Sequence, residues 1–554
     1  MAWRHFTLVA FFLLAGVGLV ARVVYLNVTE RQFLIDQGER RSIKSQEIPA
    51  HRGVIYDRFG EPLAVSTPVM AVYANLREGE LDQDDRRALC VTLELDCQRL
   101  SRRLAQHRDS RFLYLARGVA VDVAEELAAL KLPGIGFLKE YRRFYPAGES
   151  TAHVVGLTDI DDQGIEGIEL SFDAQLQGEA GRKVVLKDRS GQVIKELDYA
   201  DPARFGADLT LSLDLRLQFL AYRELKSAVQ SHRAKAGSLV MLDVATGEIL
   251  ALVNQPAFNP NEPVASLEGL RNRAATDIYE PGSTMKPFTI LAALKSGRYE
   301  RHTMIDTSPF YIGRKRVHDP AERGEISLET ALKKSSQTAI ARVALDLGER
   351  AVFDVLSEAG VGEYLGTGLH GEVVGKLTDD GLERPIAHTT LAYGYGLAIT
   401  PLQLADAYMM LANGGIRRPV SVLRQAEAPA GYRVFDEHFV HQVVQMMEGV
   451  TARGGTAPGA HIEGFRVAGK TGTIRKVVAG AYDDGQHAAW FAGMAPATAP
   501  RIVTVVLIDE PQGEDFSGGK VAAPVFGRVM ARTMHLLGVP PDAQPEQALA
   551  GVGY

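Results

Sequence analysis

Ser283-Thr284-Met285-Lys286, Ser335-Ser336-Gln337 and Lys470-Thr471-Gly472-Thr473 stand in that order along the chain, and between them they hold the parts of an acyl-transfer site. Ser283 follows the turn Glu280-Pro281-Gly282 and opens an apolar run. By position alone it is an N-cap serine. Lys286 gives it a second meaning, because a spacing of three puts both side chains on one helix face. A lysine that is desolvated, or beside a second cation, loses affinity for its proton and can accept the serine's. The helix N-terminus adds positive potential where an oxyanion would develop. Lys470-Thr471-Gly472-Thr473 follows the apolar Phe465-Arg466-Val467-Ala468. One cation and two hydroxyls suit a carboxylate. Gly472 is expected to let a substrate backbone come close, and the strand edge to pair with an extended peptide. Lys470 is also the candidate second cation for Lys286. Ser335-Ser336-Gln337 by itself is polar helix surface. Placed between the other two motifs, Ser335 becomes a candidate proton relay between Lys286 and Lys470, and Gln337 offers an amide to a substrate carbonyl.

The elements around these residues follow from the hydrophobic pattern. Two apolar runs within 237–253 flank Thr246-Gly247, a hairpin signal. Helical periodicity fills 284–295 and 328–347. Strand patterns return before Lys470, in the alternation of His487 to Met494, and in the apolar run Ile502 to Ile508. Val521 to Leu537 reads as a closing helix. Strands, then helices, then strands and a last helix predict an α+β domain with an antiparallel sheet and helices packed on it. Upstream, residues 28–211 form a mixed α/β region. It carries a predicted hairpin, Val184-Val185-Leu186 and Val193-Ile194 about Ser190-Gly191, and two glycine-bearing polar segments at 51–64 and 145–170. The charged residues of those segments read as turn-bracing ion pairs. No nucleophile–base pair stands out there, so this region is assigned no chemistry.

The chain has 554 residues, too many for one small core. A formal net charge of -7 gives no reason to propose a nucleic-acid partner. Cys90 and Cys97 are the two cysteines, which excludes a disulfide scaffold and a zinc site. On one continuous helix their Cα atoms would lie roughly 10 Å apart, too far to bridge. A break between Thr92 and Asp96 would bring them together, and both readings stand at this stage. Phe6 to Ala21 is uncharged and apolar, and the run continues past Arg22 to Leu26. It is read as an uncleaved membrane anchor over 6–27, preceded by a cytoplasmic tail at 1–5, since no small-x-small cleavage site lies near Ala21. The Pro- and Ala-rich end, 539–554, is read as a loose tail.

The motifs, with RGVIYDRFGEPLA (52–64), GIEGIEL (164–170), RNRAATDIYEPGSTMKPF (271–288), GYGLAITPLQLADAYMMLANGG (394–415), GKTGTIRK (469–476) and HAAWFAGMAPATAPRIVTVVLIDEP (487–511), resemble a class B penicillin-binding protein. Among these the chain is most similar to the division-type, monofunctional peptidoglycan D,D-transpeptidases. The resemblance implies a penicillin-recognising serine fold, β-lactamase-like, over 212–538, and an N-terminal pedestal over 28–211. It implies a single-pass inner-membrane protein with its catalytic domain in the periplasm at the division septum. It implies cross-linking of peptidoglycan stem peptides that end in D-Ala-D-Ala, through a Ser283 acyl-enzyme and without metal or organic cofactor. The N–H groups of Ser283 and Thr473 would form the oxyanion hole, and Lys470, Thr471 and Thr473 would hold the terminal carboxylate. β-Lactam antibiotics are expected to acylate the same serine, and a SEDS-family glycan polymerase and other division proteins are the expected partners. The second motif of this family usually ends in Asn, and here Gln337 stands in its place. A β-lactamase or β-lactam sensor, and a non-catalytic division scaffold, are the rival readings; labelling with a penicillin separates them.

Overall fold

A computed structural model describes residues 2–33, 43–187, 193–263, 266–478 and 480–543. The apolar N-terminal run forms helix α1, Ala2–Val28, with mean hydropathy 2.3 over its spanning window. Twenty-seven residues rise about 40 Å, longer than a bilayer's hydrocarbon core of about 30 Å. The segment expected as a tail before residue 6 is therefore already helical from Ala2 on.

The chain divides into two compact units. One comprises 1–53, 66–142 and 177–207; the other comprises 54–65, 143–176 and 208–554. This spatial division differs from a cut at residue 211 or 212. Residues 143–176 belong with the second unit, where Tyr145, Val154, Val155, Leu157 and Ile168 join its main core. Gln218 ties that segment down, donating to the carbonyls of Ser150 and Leu252 at 2.7 Å. The glycine-bearing segments hold both ion pairs and capping contacts. Arg143 and Glu169 form a fully buried pair, Arg58 pairs with Glu248, and Asp57 accepts N–H bonds from Phe59, Glu61 and Leu215.

In the first unit, Ile43–Ile48, Gly181–Lys187 and Val193–Asp201 form an antiparallel sheet. The last two strands are the predicted hairpin; its Ser190-Gly191 turn lies outside the described residues. Helices Gln83–Thr92 and Cys97–Gln106 pack over Val72, Leu115 and Leu127. The chain breaks between them because Asp96 caps the second helix at its own side chain, accepting from Arg99 N–H. That break resolves the cysteine question: Cys90 and Cys97 are bridged, with Cα atoms 5.4 Å apart.

The second unit is built on a five-stranded antiparallel sheet. Its strands are β1 (Ala236–Asp243), β2 (Ile249–Gln255), β3 (Ala468–Val478), β4 (Ala481–Ala495) and β5 (Ile502–Asp509), in the order β2-β1-β5-β4-β3. Every residue of β1, β2 and β5 is buried, as continuous apolar runs require when helices cover both faces. One face carries Leu215–Ser231 and Ala523–Leu536. The other carries a larger helical layer that includes Pro401–Ala412, with Phe288, Leu404 and Tyr408 in its core. β3 lies at the sheet's edge. The region expected as a loose tail is tied to this unit through residue 543: Asp542 accepts from Arg466 N–H and from Thr498, and Ala543 N–H donates to Gly464 O.

Candidate active site

Ser283 lies inside a short 3₁₀ turn, Gly282–Met285, that feeds directly into helix α2, Lys286–Lys295. It is therefore not the N-cap that its position suggested. Lys286 caps the turn, its backbone N–H donating to Ser283 O, so the two residues stand one 3₁₀ turn apart. The turn is pinned on several sides. Thr284 Oγ1 donates to Pro281 O at 2.8 Å, Tyr408 Oη to Thr284 O at 2.7 Å, and Gly282 N–H to Gly394 O at 3.0 Å. Gly394, at φ +85°, permits that last contact, since a Cβ there would come within 1.9 Å of Gly282 O.

The edge strand β3 presses on the same turn. A Cβ on Gly472 would meet Pro281 O at 2.7 Å and Thr284 Cγ2 at 3.1 Å. The absent side chain lets the strand approach the turn that carries Ser283. Thr471 Oγ1 lies 2.9 Å from Thr456 Oγ1, and Thr473 Oγ1 accepts from Gly518 N–H at 3.0 Å. The two threonine hydroxyls are thus oriented by neighbours from distant parts of the chain.

The stretch 328–347, expected as one helix, is two: α3, Leu328–Lys333, and α4, Gln337–Leu347. Ser335 sits at the break with φ +57°, a left-handed conformation that costs a non-glycine residue about 1–3 kcal/mol. The break carries Ser335 into the site. Lys286 Nζ donates to Ser335 O at 2.6 Å and Oγ at 3.1 Å, and Lys470 Nζ donates to the same Oγ at 3.0 Å. One hydroxyl therefore bridges both lysines. Gln337 opens α4; its backbone N–H is bonded to Asp319, and its side-chain amide has no hydrogen bond among the described residues.

Asp319 is the residue that sequence reasoning missed. Its carboxylate is buried and accepts from Ser336 Oγ, from Gln337 N–H at 2.6 Å and from Thr338 N–H at 3.1 Å. It holds the start of α4, and with it the Ser335 break. The pattern Ser336 followed by an apolar run was a legible N-cap signal, but nothing in His318-Asp319-Pro320 announces a partner for it.

Both lysines are buried, at 1% and 0% relative exposure for Lys286 and Lys470. Desolvation pulls Lys286 down to about 7, while the Asp319 carboxylate works in the opposite direction. Burial, with the Lys286 charge behind it, holds Lys470 well below the ordinary lysine range. Of the two expected causes, desolvation is the one that lowers Lys286. The result is a lysine poised near neutrality beside a serine, connected through a hydroxyl to a second lysine on an open strand edge. Such a set can deprotonate an alcohol, hold a carboxylate and return a proton to a leaving amine. Among the described residues no group of three or more His, Cys, Asp or Glu is placed to hold a metal.

The penicillin-binding protein transpeptidase domain family matches residues 237–531, and the penicillin-binding protein dimerisation domain family matches 47–211. The chain is 41% identical to the peptidoglycan D,D-transpeptidase FtsI of Escherichia coli over 549 residues, covering 98% of this chain and 93% of that protein. It is 41% identical to the probable peptidoglycan D,D-transpeptidase PenA of Neisseria gonorrhoeae, covering 94% and 91%. Among solved structures, penicillin-binding protein 3 of Mycobacterium tuberculosis in complex with aztreonam superposes with a TM-score of 0.70 at 26% identity, covering 90% of this chain and 98% of that one.

Proposed function

The chain belongs to the penicillin-binding protein transpeptidases, and from that premise we propose that Ser283 is the nucleophile with which it cross-links peptidoglycan stem peptides at the division septum. The observation that carries the assignment is the bridge of Ser335 Oγ between Lys286 Nζ and Lys470 Nζ, at 3.1 and 3.0 Å, with Lys286 following directly on the turn that holds Ser283.

Ser283 Oγ attacks the carbonyl carbon between the two D-Ala residues, and its proton passes to neutral Lys286. The N–H groups of Ser283 and Thr473 face the developing oxyanion, and Lys470, Thr471 and Thr473 hold the terminal carboxylate. The C–N bond breaks, the departing D-Ala amine takes a proton through Ser335, and Ser283 is left as an ester. An amine of a neighbouring stem then attacks that ester and gives up its proton, and Ser283 is restored. Gln337 stands at the mouth, where its free amide can reach the acyl side chain. A β-lactam, whose strained amide mimics the scissile bond, acylates the same oxygen.

The anchor α1 and the bridged Cys90–Cys97 together support a topology with both units in the periplasm, because such a bridge persists in an oxidising compartment. The first unit is the pedestal expected to meet a SEDS-family polymerase and other division proteins. The test is labelling of the full-length protein with a fluorescent penicillin. Stable labelling that disappears in Ser283→Ala is the expected result. Labelling that persists in that variant removes Ser283 from the site, and rapid release of the label identifies a β-lactamase instead.

A further inference from the structure

Thr456 lies outside all three motifs, yet its hydroxyl is built into the site. It ends a tight loop, 452–456, that follows the helix Glu437–Thr451. The loop folds back on the end of that helix, with Gly455 N–H donating to Ala452 O and Ala457 N–H to Val450 O, both at 2.9 Å. It is then fastened to two of the motifs. Lys334, the residue before Ser335, donates from Nζ to Gly454 O at 2.7 Å. Thr456 Oγ1 lies 2.9 Å from Thr471 Oγ1. The loop therefore ties the break that carries Ser335 to the edge strand that carries Lys470.

The protons of the two hydroxyls are not free to point anywhere. A threonine hydroxyl has one proton to give and two lone pairs with which to accept. Lys470 Nζ already donates to Thr471, to its carbonyl at 3.0 Å and to its Oγ1 at 3.4 Å. An ionised carboxylate only accepts. Once one sits beside Thr471, the Thr471 proton has to turn toward it, and the 2.9 Å contact with Thr456 survives only if Thr456 is the donor. Among the described residues Thr456 Oγ1 makes no other hydrogen bond, so its proton is available for that contact. The two hydroxyls then act in series, Thr456 donating to Thr471 and Thr471 to the carboxylate, and each bond in such a chain polarises the next. Thr456 is half-buried and Thr471 is buried, which limits competition from water.

We propose that Thr456 is a positioning residue for the terminal carboxylate of the donor: its hydroxyl turns the Thr471 proton toward that group and so raises the preference for a donor ending in a free acid. The inference rests on the transpeptidase reading above, in which Lys470, Thr471 and Thr473 hold the carboxylate. Thr456 acts through Thr471 alone.

The experiment uses the full-length protein in detergent and two synthetic thioester donors. One is N-benzoyl-D-alanyl-thioglycolate, which ends in a carboxylate; the other is the matching thioglycolamide, which ends in a neutral amide. The readout is the ratio of kcat/KM between them, which a general loss of folded protein leaves alone. The wild type should prefer the acid by about tenfold or more, the worth of a charge-assisted hydrogen bond. In Thr456→Val, which keeps the shape and removes the hydroxyl, that ratio should fall by about three- to tenfold. Thr456→Ser, which returns the hydroxyl, should restore it. A role in packing alone would slow both donors alike and leave the ratio where it was. An unchanged ratio in Thr456→Val, or a lowered one that serine does not restore, overturns the proposal while the transpeptidase reading stands. A wild type without preference for the acid overturns it too, together with the carboxylate role of Thr471, and a wild type that forms no adduct with penicillin brings down the wider reading as well.

Discussion

In the catalytic unit two lysines are buried side by side around one hydroxyl, and the residue carrying that hydroxyl is held in a left-handed conformation. In the first unit the helices Gln83–Thr92 and Cys97–Gln106 share a small core and are joined by a covalent bridge. Withdrawing an ammonium from water costs several kcal/mol, and Ser335 adds its own strain. The catalytic unit carries these costs because a sheet buried on both faces and two extensive helical layers leave stability in hand. The first unit has no such surplus and closes its chain with a disulfide. Chemistry is located where packing can support unfavourable charge, and the cross-link is located where packing is thin.

Removing the proposed nucleophile tests the catalytic side of that contrast most severely. Ser283→Ala should lower covalent penicillin labelling by at least about a thousandfold while the folded protein persists by circular dichroism. Lys286→Met should be nearly as severe. In the wild type the acylation rate should rise with pH and level off above about 7, because Lys286 accepts a proton only when neutral. A rate flat between pH 5 and pH 9 would remove Lys286 as the base.

Asp319→Asn separates electrostatics from scaffolding. The carboxylate raises Lys286 against the effect of burial, so its loss should move the inflection to lower pH. The weakened bonds to Ser336, Gln337 and Thr338 should also slow acylation by about tenfold. An unmoved inflection would mean that Asp319 acts through positioning alone.

The first unit is tested by Cys90→Ser with Cys97→Ser. For so short a loop the chain-entropy treatment gives a loss of about 2 kcal/mol, seen as earlier unfolding of the first unit in urea. Penicillin acylation should keep its rate, since neither cysteine belongs to the catalytic unit. A parallel loss of acylation would erase the distinction between the units.

Gln337→Asn should have the smallest effect. Ordering the longer side chain costs roughly 0.5–1.5 kcal/mol on binding, so rates should change by less than about tenfold, unequally across β-lactams with different side chains. Equal changes across the set would show that residue 337 does not read the acyl group.

The sequence made the chemistry legible because each motif keeps its reacting groups within a few residues, on a turn, a break or a strand. The α+β order, the hairpin about Thr246-Gly247, the edge strand and the apolar N-terminal helix were legible for the same reason: local periodicity reports local structure. Contacts between distant segments were not. Asp319 reaches Ser336 from a loop that precedes the strand Glu325–Ser327 and helix α3, Thr456 reaches Thr471, and residues 143–176 leave their sequence neighbours to join the catalytic unit. The helix break at Ser335 was hidden because periodicity continues on either side of it, and only the φ angle reveals the turn.

The bridge of Ser335 between two lysines has a consequence for drug escape. On the proposed mechanism the atoms that activate Ser283 toward a β-lactam are the ones that activate it toward the cell wall, and the burial of both lysines leaves little room for a substitution that spares one reaction and harms the other. On that mechanism, resistance that preserves growth arises where ligands differ, at a position proposed to face the acyl side chain such as Gln337, and not at the three residues proposed to make the serine reactive.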